Sequence, residues 1–127
     1  MHSKTAYIVG AGDFCDDSFH PGPGDLVIAA DGGYDALLQA GLTAHLLLGD
    51  MDSIQTPPGG IPLLRFPKRK DETDMALGVR LARARGYTRF KLYGALGGRL
   101  DHSLANLQLL AGLARDGLQG VIVSGDV

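Results

Sequence analysis

Short apolar runs alternate along the chain with longer stretches of helical spacing. Six short runs are rich in apolar residues, and several of them are continuous, a pattern typical of strands covered on both faces. These predicted strands are residues 5–10, 25–30, 44–49, 62–66, 90–94 and 120–125.

Three stretches between the strands have the spacing of amphipathic helices and end at Gly41, Gly86 and Gly117, as helices commonly do. Their predicted apolar faces are Tyr34, Leu37 and Leu38 in 33–41, Met75, Val79 and Ala82 in 71–86, and Leu104, Leu107 and Leu110 in 101–117. Strands that alternate with helices predict the α/β class. We expect a mostly parallel, Rossmann-like open sheet with helices on both faces, a three-layer α/β/α arrangement, and a loop at 55–62.

Composition narrows the possible functions. The chain has 127 residues, which suits one domain, with 45% hydrophobic and 20% charged residues. A net charge of -2 gives no overall basic surface for nucleic acid or anionic lipid. No run approaches the ~18 apolar residues of a membrane helix. The single cysteine excludes an internal disulfide, and a cytoplasmic location is expected.

Glycine is the one unusual component, with 19 residues, about twice the average share. Many of them stand at the ends of apolar runs, where glycine permits sharp turns and close approach of the backbone to a ligand. These are Gly10, Gly32, Gly33, Gly49, Gly94, Gly97 and Gly98.

Acidic residues collect at the carboxyl ends of the predicted strands, where ligands bind in open α/β sheets. Taken singly, each has a structural explanation: Asp31 as a turn former, Asp71 with Asp74 as a helix cap, and Asp101 as an N-cap. The acids of this edge are Asp31, Asp50, Asp52, Asp71, Asp74 and Asp101.

Electrostatic repulsion between the carboxylates weakens the structural explanation when these acids are considered together. A cap contributes ~1 kcal/mol, whereas two carboxylates ~4 Å apart at a protein surface repel by up to ~4 kcal/mol at an effective dielectric near 20. A divalent cation between Asp50 and Asp52 would reverse that balance. Oxygen ligands without CxxC, HExxH or an EF-hand loop favour Mg²⁺, which also binds substrate phosphates.

Groups that bind phosphate are also present. The segment RFPKRK (65–70) is basic and includes Lys70, and GALGGRLDH (94–102) combines free glycine amides, Arg99 and a helix start. His102 is equally compatible with phosphate or ribose contact and with a structural role. A P-loop is absent, and GAGDFC (10–15) has Cys15 where a dinucleotide-binding motif has its third glycine.

Four blocks in this order resemble thiamine pyrophosphokinase, also called thiamin diphosphokinase. They span most of the chain and are ADGG (30–33), GDMDS (49–53), KDETD (70–74) and GGRLDHSLANLQLL (97–110). The resemblance implies Mg²⁺-dependent transfer of a pyrophosphoryl group from ATP to the hydroxyl of thiamine, with release of AMP.

The resemblance also implies roles for individual residues. Asp50, Asp52 and Asp74 would hold the metal, Asp31 or Asp71 would act as base or contact substrate, and Arg99 would contact phosphates. Asp101, His102 and Asn106 would line the nucleotide side, with Ser53 and Thr73 supporting the loops. The remaining residues expected to bind ATP or phosphate are Gly32, Gly33, Lys70, Gly97 and Gly98.

Members of this family carry a second, β-rich domain that contributes to the thiamine site, typically across a homodimer. The last predicted strand is followed only by Asp126 and Val127. We therefore expect residues 1–127 to form the ATP- and Mg²⁺-binding catalytic domain, with the thiamine-binding residues unassigned and thiamine held poorly. Three alternatives remain open: a pyrophosphokinase with a pterin-type acceptor, a metal-dependent phosphoesterase, and a non-catalytic nucleotide-binding domain.

Overall fold

A computed structural model gives the fold and describes residues 4–10, 19–22, 24–30, 33–42, 44–48, 63–64, 73–94 and 100–123. Its strands are β1 (Thr5–Val9), β2 (Leu26–Ala30), β3 (Leu46–Leu48), β4 (Leu63–Leu64), β5 (Arg89–Tyr93) and β6 (Gln119–Val123). Its helices are α1 (Gly33–Gln39), α2 (Asp74–Ala84) and α3 (Leu100–Arg115). Each predicted strand and helix is confirmed, with shorter bounds in most cases. The loop expected at 55–62 lies outside the described residues.

The strands form one parallel sheet in the order β4-β3-β2-β1-β5-β6. The central strand β1 pairs Tyr7 with Val27 of β2 on one side and with Lys91 of β5 on the other. At the start of β3, the His45 amide donates to the Val27 carbonyl at 2.9 Å and the Val27 amide donates to His45 Nδ1 at 3.0 Å. The expectation of a mostly parallel sheet is therefore confirmed.

The core divides into two clusters because successive residues of a strand point to opposite faces of the sheet. Ala6 and Ile8 of β1 belong to a cluster with residues of α2 and α3. Tyr7 and Val9 belong to the other cluster, which includes Leu37 of α1. Burial of β1, β2 and β3 is nearly continuous, as their apolar sequences predicted.

The predicted faces of two helices are confirmed where their side chains are described. Met75, Val79 and Ala82 of α2 are each at most 4% exposed, and Leu37 of α1 is fully buried. The side chains of Tyr34 and Leu38 lie outside the described part of the chain.

The predicted apolar face of α3 is wrong for two of its three leucines. Leu104 and Leu107 are 52% and 47% exposed, whereas Leu113 is buried and Leu109 packs against the core. Leucines occur on several sides of this helix, so their spacing does not select the packed face. The position of α3 over β6 selects it instead: a side chain on Gly120 would collide with Leu110 and Leu113.

Strand β6 lies at one edge of the described sheet and is only partly covered. Its apolar sequence predicted a strand covered on both faces, but Val121 is 53% exposed. The glycines expected to end the helices do follow them with positive φ, +76° at Gly41, +93° at Gly86 and +78° at Gly117. Within the described ranges, no helix has both the length and the apolar character needed to cross a bilayer.

Candidate active site

The order of the strands marks one place on the sheet for a ligand. From β1 the chain proceeds outward through β2, β3 and β4, and it then returns to the other side of β1 to form β5 and β6. The two halves diverge between β1 and β5. In open α/β sheets, ligands bind in the crevice outside the carboxyl ends of the strands at such a switch point.

The register of the sheet aligns the ends of two strands that acidic segments follow in the sequence. Ala30, the last residue of β2, pairs with Leu48, the last residue of β3, and Leu48 pairs with Leu64 at the end of β4. Asp31 follows Ala30 directly, and Asp50 comes two residues after Leu48. The strands β2 and β3 therefore end side by side at the same edge, directly before these two acidic segments in the sequence.

Helix α2 begins at this edge with a residue that the sequence analysis named, but not as a helix cap. Thr73 is the N-cap residue, and its side-chain oxygen accepts a hydrogen bond from the Ala76 amide at 3.1 Å. The structural explanation of Asp71 with Asp74 as a helix cap is wrong, because Thr73 is the N-cap and Asp74 is the first helical residue. A carboxylate in the first helical turn is stabilised by the helix dipole. The side chain of Asp74 lies outside the described part of the structure.

Helix α3 also begins at this edge, after the segment that follows β5. It starts at Leu100, so Asp101 stands in the first turn and is not the N-cap. Asn106 of this helix is a buried amide, only 6% exposed. A buried amide on the second turn of a leucine-rich helix is expensive unless it is hydrogen-bonded. The side chains of Asp101 and His102 are not described.

Three glycines meet at the switch point, and we call them the glycine junction: Gly10 after β1, Gly33 at the start of α1 and Gly94 after β5. The Gly10 amide donates to the Tyr93 carbonyl at 2.7 Å. A Cβ on Gly94 would lie 2.9 Å from the Gly10 carbonyl carbon, and one on Gly33 would lie 2.6 Å from the Val9 carbonyl carbon. The sequence indicated glycines that admit a ligand, whereas at these positions they admit other parts of the backbone.

An aromatic cluster adjoins the end of β5 and was not recognised in the sequence. Phe19 packs edge-on against Tyr7 and Tyr93, with ring centroids 5.2 Å and 5.0 Å apart. Burial, followed by the negative charge of Asp25 and the neighbouring Tyr93, raises the pKa of the Tyr7 hydroxyl. Only the aromatic character of three widely separated residues could have pointed to this cluster.

The other predicted site residues lie outside the described residues, and their convergence stays a prediction. They are Asp31, Gly32, Asp50, Asp52, Ser53, Lys70, Asp71, Gly97, Gly98 and Arg99. In the part of the chain that the structure does describe, no group of three or more histidine, cysteine or acidic residues is arranged to hold a metal.

Comparison of the sequence with protein families gives a match over most of the chain. The family model described as "Thiamin pyrophosphokinase, catalytic domain" matches residues 23–122. Thiamine pyrophosphokinase of Bacillus subtilis (strain 168) is 35% identical to this chain, and the alignment covers 67% of the chain and 42% of that protein. The chain therefore aligns with less than half the length of this relative.

Solved structures agree with the sequence match. The crystal structure of thiamine pyrophosphokinase from Bacillus subtilis has a TM-score of 0.79 at 27% identity, and the match covers 96% of this chain and 61% of that one. Thiamin pyrophosphokinase from Geobacillus thermodenitrificans has a TM-score of 0.77 at 30% identity, with coverage of 94% and 59%. The fold of the described residues is thus similar to part of these larger proteins.

Proposed function

Because the chain belongs to the thiamin pyrophosphokinase catalytic-domain family, a family of enzymes, we propose that it binds ATP with Mg²⁺ and transfers the pyrophosphoryl group to the hydroxyl of thiamine. The observation that carries the proposal is the register of the sheet, in which Ala30 pairs with Leu48. That pairing supports the convergence of Asp31 and Asp50, which repulsion would oppose in the absence of a cation.

The residues of this edge fit a magnesium ion. The proposal assigns Asp50, Asp52 and Asp74 to the metal, and carboxylate oxygens are the donors that Mg²⁺ prefers. When bound, the ion would offset the charge of the triphosphate. The start of α2 supports this assignment because the Thr73 cap fixes the first turn, in which Asp74 stands.

The reaction needs a nucleophile in line with the leaving group, and a base that accepts the proton of the nucleophile. The hydroxyl oxygen of the acceptor attacks the β-phosphorus of ATP, the bond from that phosphorus to the oxygen of the α-phosphate breaks, and AMP leaves. Asp71 or Asp31 accepts the hydroxyl proton. Arg99, Lys70 and the amides of Gly97 and Gly98 contact the phosphates.

The nucleotide side of the proposed site is built on the start of α1 and the first two turns of α3. Gly32 and Gly33 contribute backbone close to the ligand, and Asp101, His102 and Asn106 line the nucleotide, with Ser53 and Thr73 supporting the loops. Helix α1 packs in one core cluster, and α2 and α3 pack in the other. This distribution of helices favours a Rossmann-like three-layer arrangement. The proposal treats residues 1–127 as the ATP-binding catalytic domain, in a homodimeric and cytoplasmic enzyme, and assigns no thiamine-binding residue.

Product analysis tests the reaction. The protein is incubated with ATP, Mg²⁺ and an excess of thiamine or of a hydroxymethylpterin, and the nucleotide products are separated by chromatography. We expect AMP and thiamine diphosphate to form together and only when thiamine is present. AMP formation with the pterin alone would reassign the acceptor. Phosphate or pyrophosphate released without an acceptor would indicate a phosphoesterase, and binding without any product would indicate a nucleotide sensor.

A further inference from the structure

We propose that the glycine junction is a positioning device for the proposed ATP site, through which Gly10, Gly33 and Gly94 set the spacing of three strand exits. The inference rests on the proposed function and deepens it. It assigns a role to residues that carry no functional side chain and that follow β1, open α1 and follow β5.

The first step of the argument is that the three segments meet through backbone alone. Both Gly33 and Gly94 approach the same carbonyl: a Cβ on Gly33 would lie 3.1 Å from the Gly10 oxygen, and a Cβ on Gly94 would overlap that oxygen. Real Cβ atoms are not found so close to backbone atoms, so any side chain at Gly94 must push the two strand ends apart.

The second step is that these contacts lie where the segments of the proposed site begin. Gly10 follows β1, Gly94 follows β5, and Gly33 opens α1 immediately after the Asp31 segment. The Gly94 segment continues to Arg99 and to the start of α3. A displacement at the junction therefore changes the distance between the proposed carboxylate and phosphate-binding sides of the site.

The third step is that the junction also touches the helix that carries a proposed metal ligand. A Cβ on Gly10 would lie 2.8 Å from the Met75 methyl carbon and 3.1 Å from the Gly94 oxygen. Met75 is adjacent to Asp74 in the first turn of α2. The ends of these strands and the start of α2 thus pack against one another at the glycine junction.

The test separates the close contact from the conformational preference of glycine. Gly94 has φ +67° and Gly86 has φ +93°, but nothing lies within 4 Å of a Cβ on Gly86. Asparagine tolerates positive φ better than other side chains do. Gly94→Asn therefore tests mainly the close contact, and Gly86→Asn is its matched control for positive φ.

ATP binding in the presence of Mg²⁺ is measured by titration calorimetry, with thermal unfolding of every variant as a separate readout. We expect Gly94→Asn to raise the Kd about tenfold or more, since displacements of ~1 Å can cost ~100-fold at a functional site. Gly86→Asn should leave the Kd unchanged even if its unfolding temperature falls.

Gly10→Ala is the second test, because Gly94→Asn carries the larger collision and can prevent folding. A Cβ on Gly10 would meet the movable end of Met75, and the Gly94 oxygen would have to shift by a few tenths of an ångström. Gly120→Ala is its control. A Cβ on Gly120 would meet only the side chains of Leu110 and Leu113, away from the carboxyl ends of the strands. We expect weaker ATP binding in Gly10→Ala and unchanged binding in Gly120→Ala.

The outcomes distinguish the two proposals. If the unaltered chain binds no ATP, the proposed function fails and the positioning role fails with it. If the unaltered chain binds ATP and a folded Gly94→Asn or Gly10→Ala variant binds it equally well, the positioning role alone is overturned. Equal weakening in the control variants would also overturn it, because the effect would then follow stability and not position.

Discussion

At the scale of single residues, Tyr7 shows how a buried polar group is accommodated beside the switch point. Its side chain is 4% exposed, its ring stacks on Tyr93 with centroids 6.0 Å apart, and its hydroxyl donates to the His20 carbonyl at 3.4 Å. That hydrogen bond is long, and ionisation would leave a charge in a poorly solvated position. The folded state therefore favours the neutral phenol.

The raised pKa of Tyr7 predicts loss of stability in alkali. Burial raises the folded-state pKa, and Asp25 and Tyr93 raise it further. The stabilising contribution is complete below the ordinary tyrosine pKa of ~10, and it is lost as the pH rises through the folded-state pKa. We expect the free energy of unfolding, measured in urea, to fall above about pH 10, and to fall less steeply in Tyr7→Phe. Identical slopes for both proteins would contradict this account.

At the scale of secondary structure, α3 gives the sharpest prediction because it carries chemically identical side chains in different environments. Leu113 is 1% exposed and Leu107 is 47% exposed. Leu113→Ala should lower the free energy of unfolding by about 2–5 kcal/mol, because it removes buried methyl groups and leaves a cavity.

Leu107→Ala is the matched control on the same helix. It should change the free energy of unfolding by no more than about 0.5 kcal/mol, as is usual for surface positions. Urea unfolding of the two variants measures both values. A larger loss in Leu107→Ala than in Leu113→Ala would mean that α3 packs through the face first predicted from its leucine spacing.

Individual strands and helices show what the sequence could predict and what it could not. Continuous apolar runs are distinctive, so β1 and β2 were predicted nearly to their ends. The packed face of α3 was not predictable because it includes Asn106 and excludes Leu104, which hydropathy alone would reverse. The cap of α2 was missed because Asp71 and Thr73 can both cap a helix, and local sequence does not choose between them.

The candidate site also has features that the sequence could predict and features that it could not. That β2 and β3 end at the same edge, just before Asp31 and Asp50 in the sequence, could be predicted, because each is a recognisable parallel strand. The contact between Gly10 and Gly94 depends on the pairing of β1 with β5, which no local pattern encodes. A glycine near a strand end indicates a close approach but does not identify the group that approaches.

At the scale of the whole molecule, the predicted acidic edge belongs to a chain whose net charge is only -2. Acids also occur elsewhere in the chain. Asp116 lies between α3 and β6, on the side of the sheet where the strands begin. Its carboxylate is 3.2 Å from Arg83. An isolated exposed pair of this kind contributes little to stability. Asp116 therefore provides a control for the loss of negative charge as such.

The central claim is that the acids of GDMDS hold a metal with the triphosphate, and Mg²⁺-dependent ATP binding tests it most directly. Titration calorimetry is performed with and without Mg²⁺ on the unaltered chain, on Asp50→Ala/Asp52→Ala and on Asp116→Ala, after circular dichroism has confirmed folding. We expect ATP binding that requires Mg²⁺, is lost in the double variant and is retained in Asp116→Ala. ATP binding that is indifferent to Mg²⁺ and to the double substitution would contradict the account and leave these aspartates as turn and cap residues.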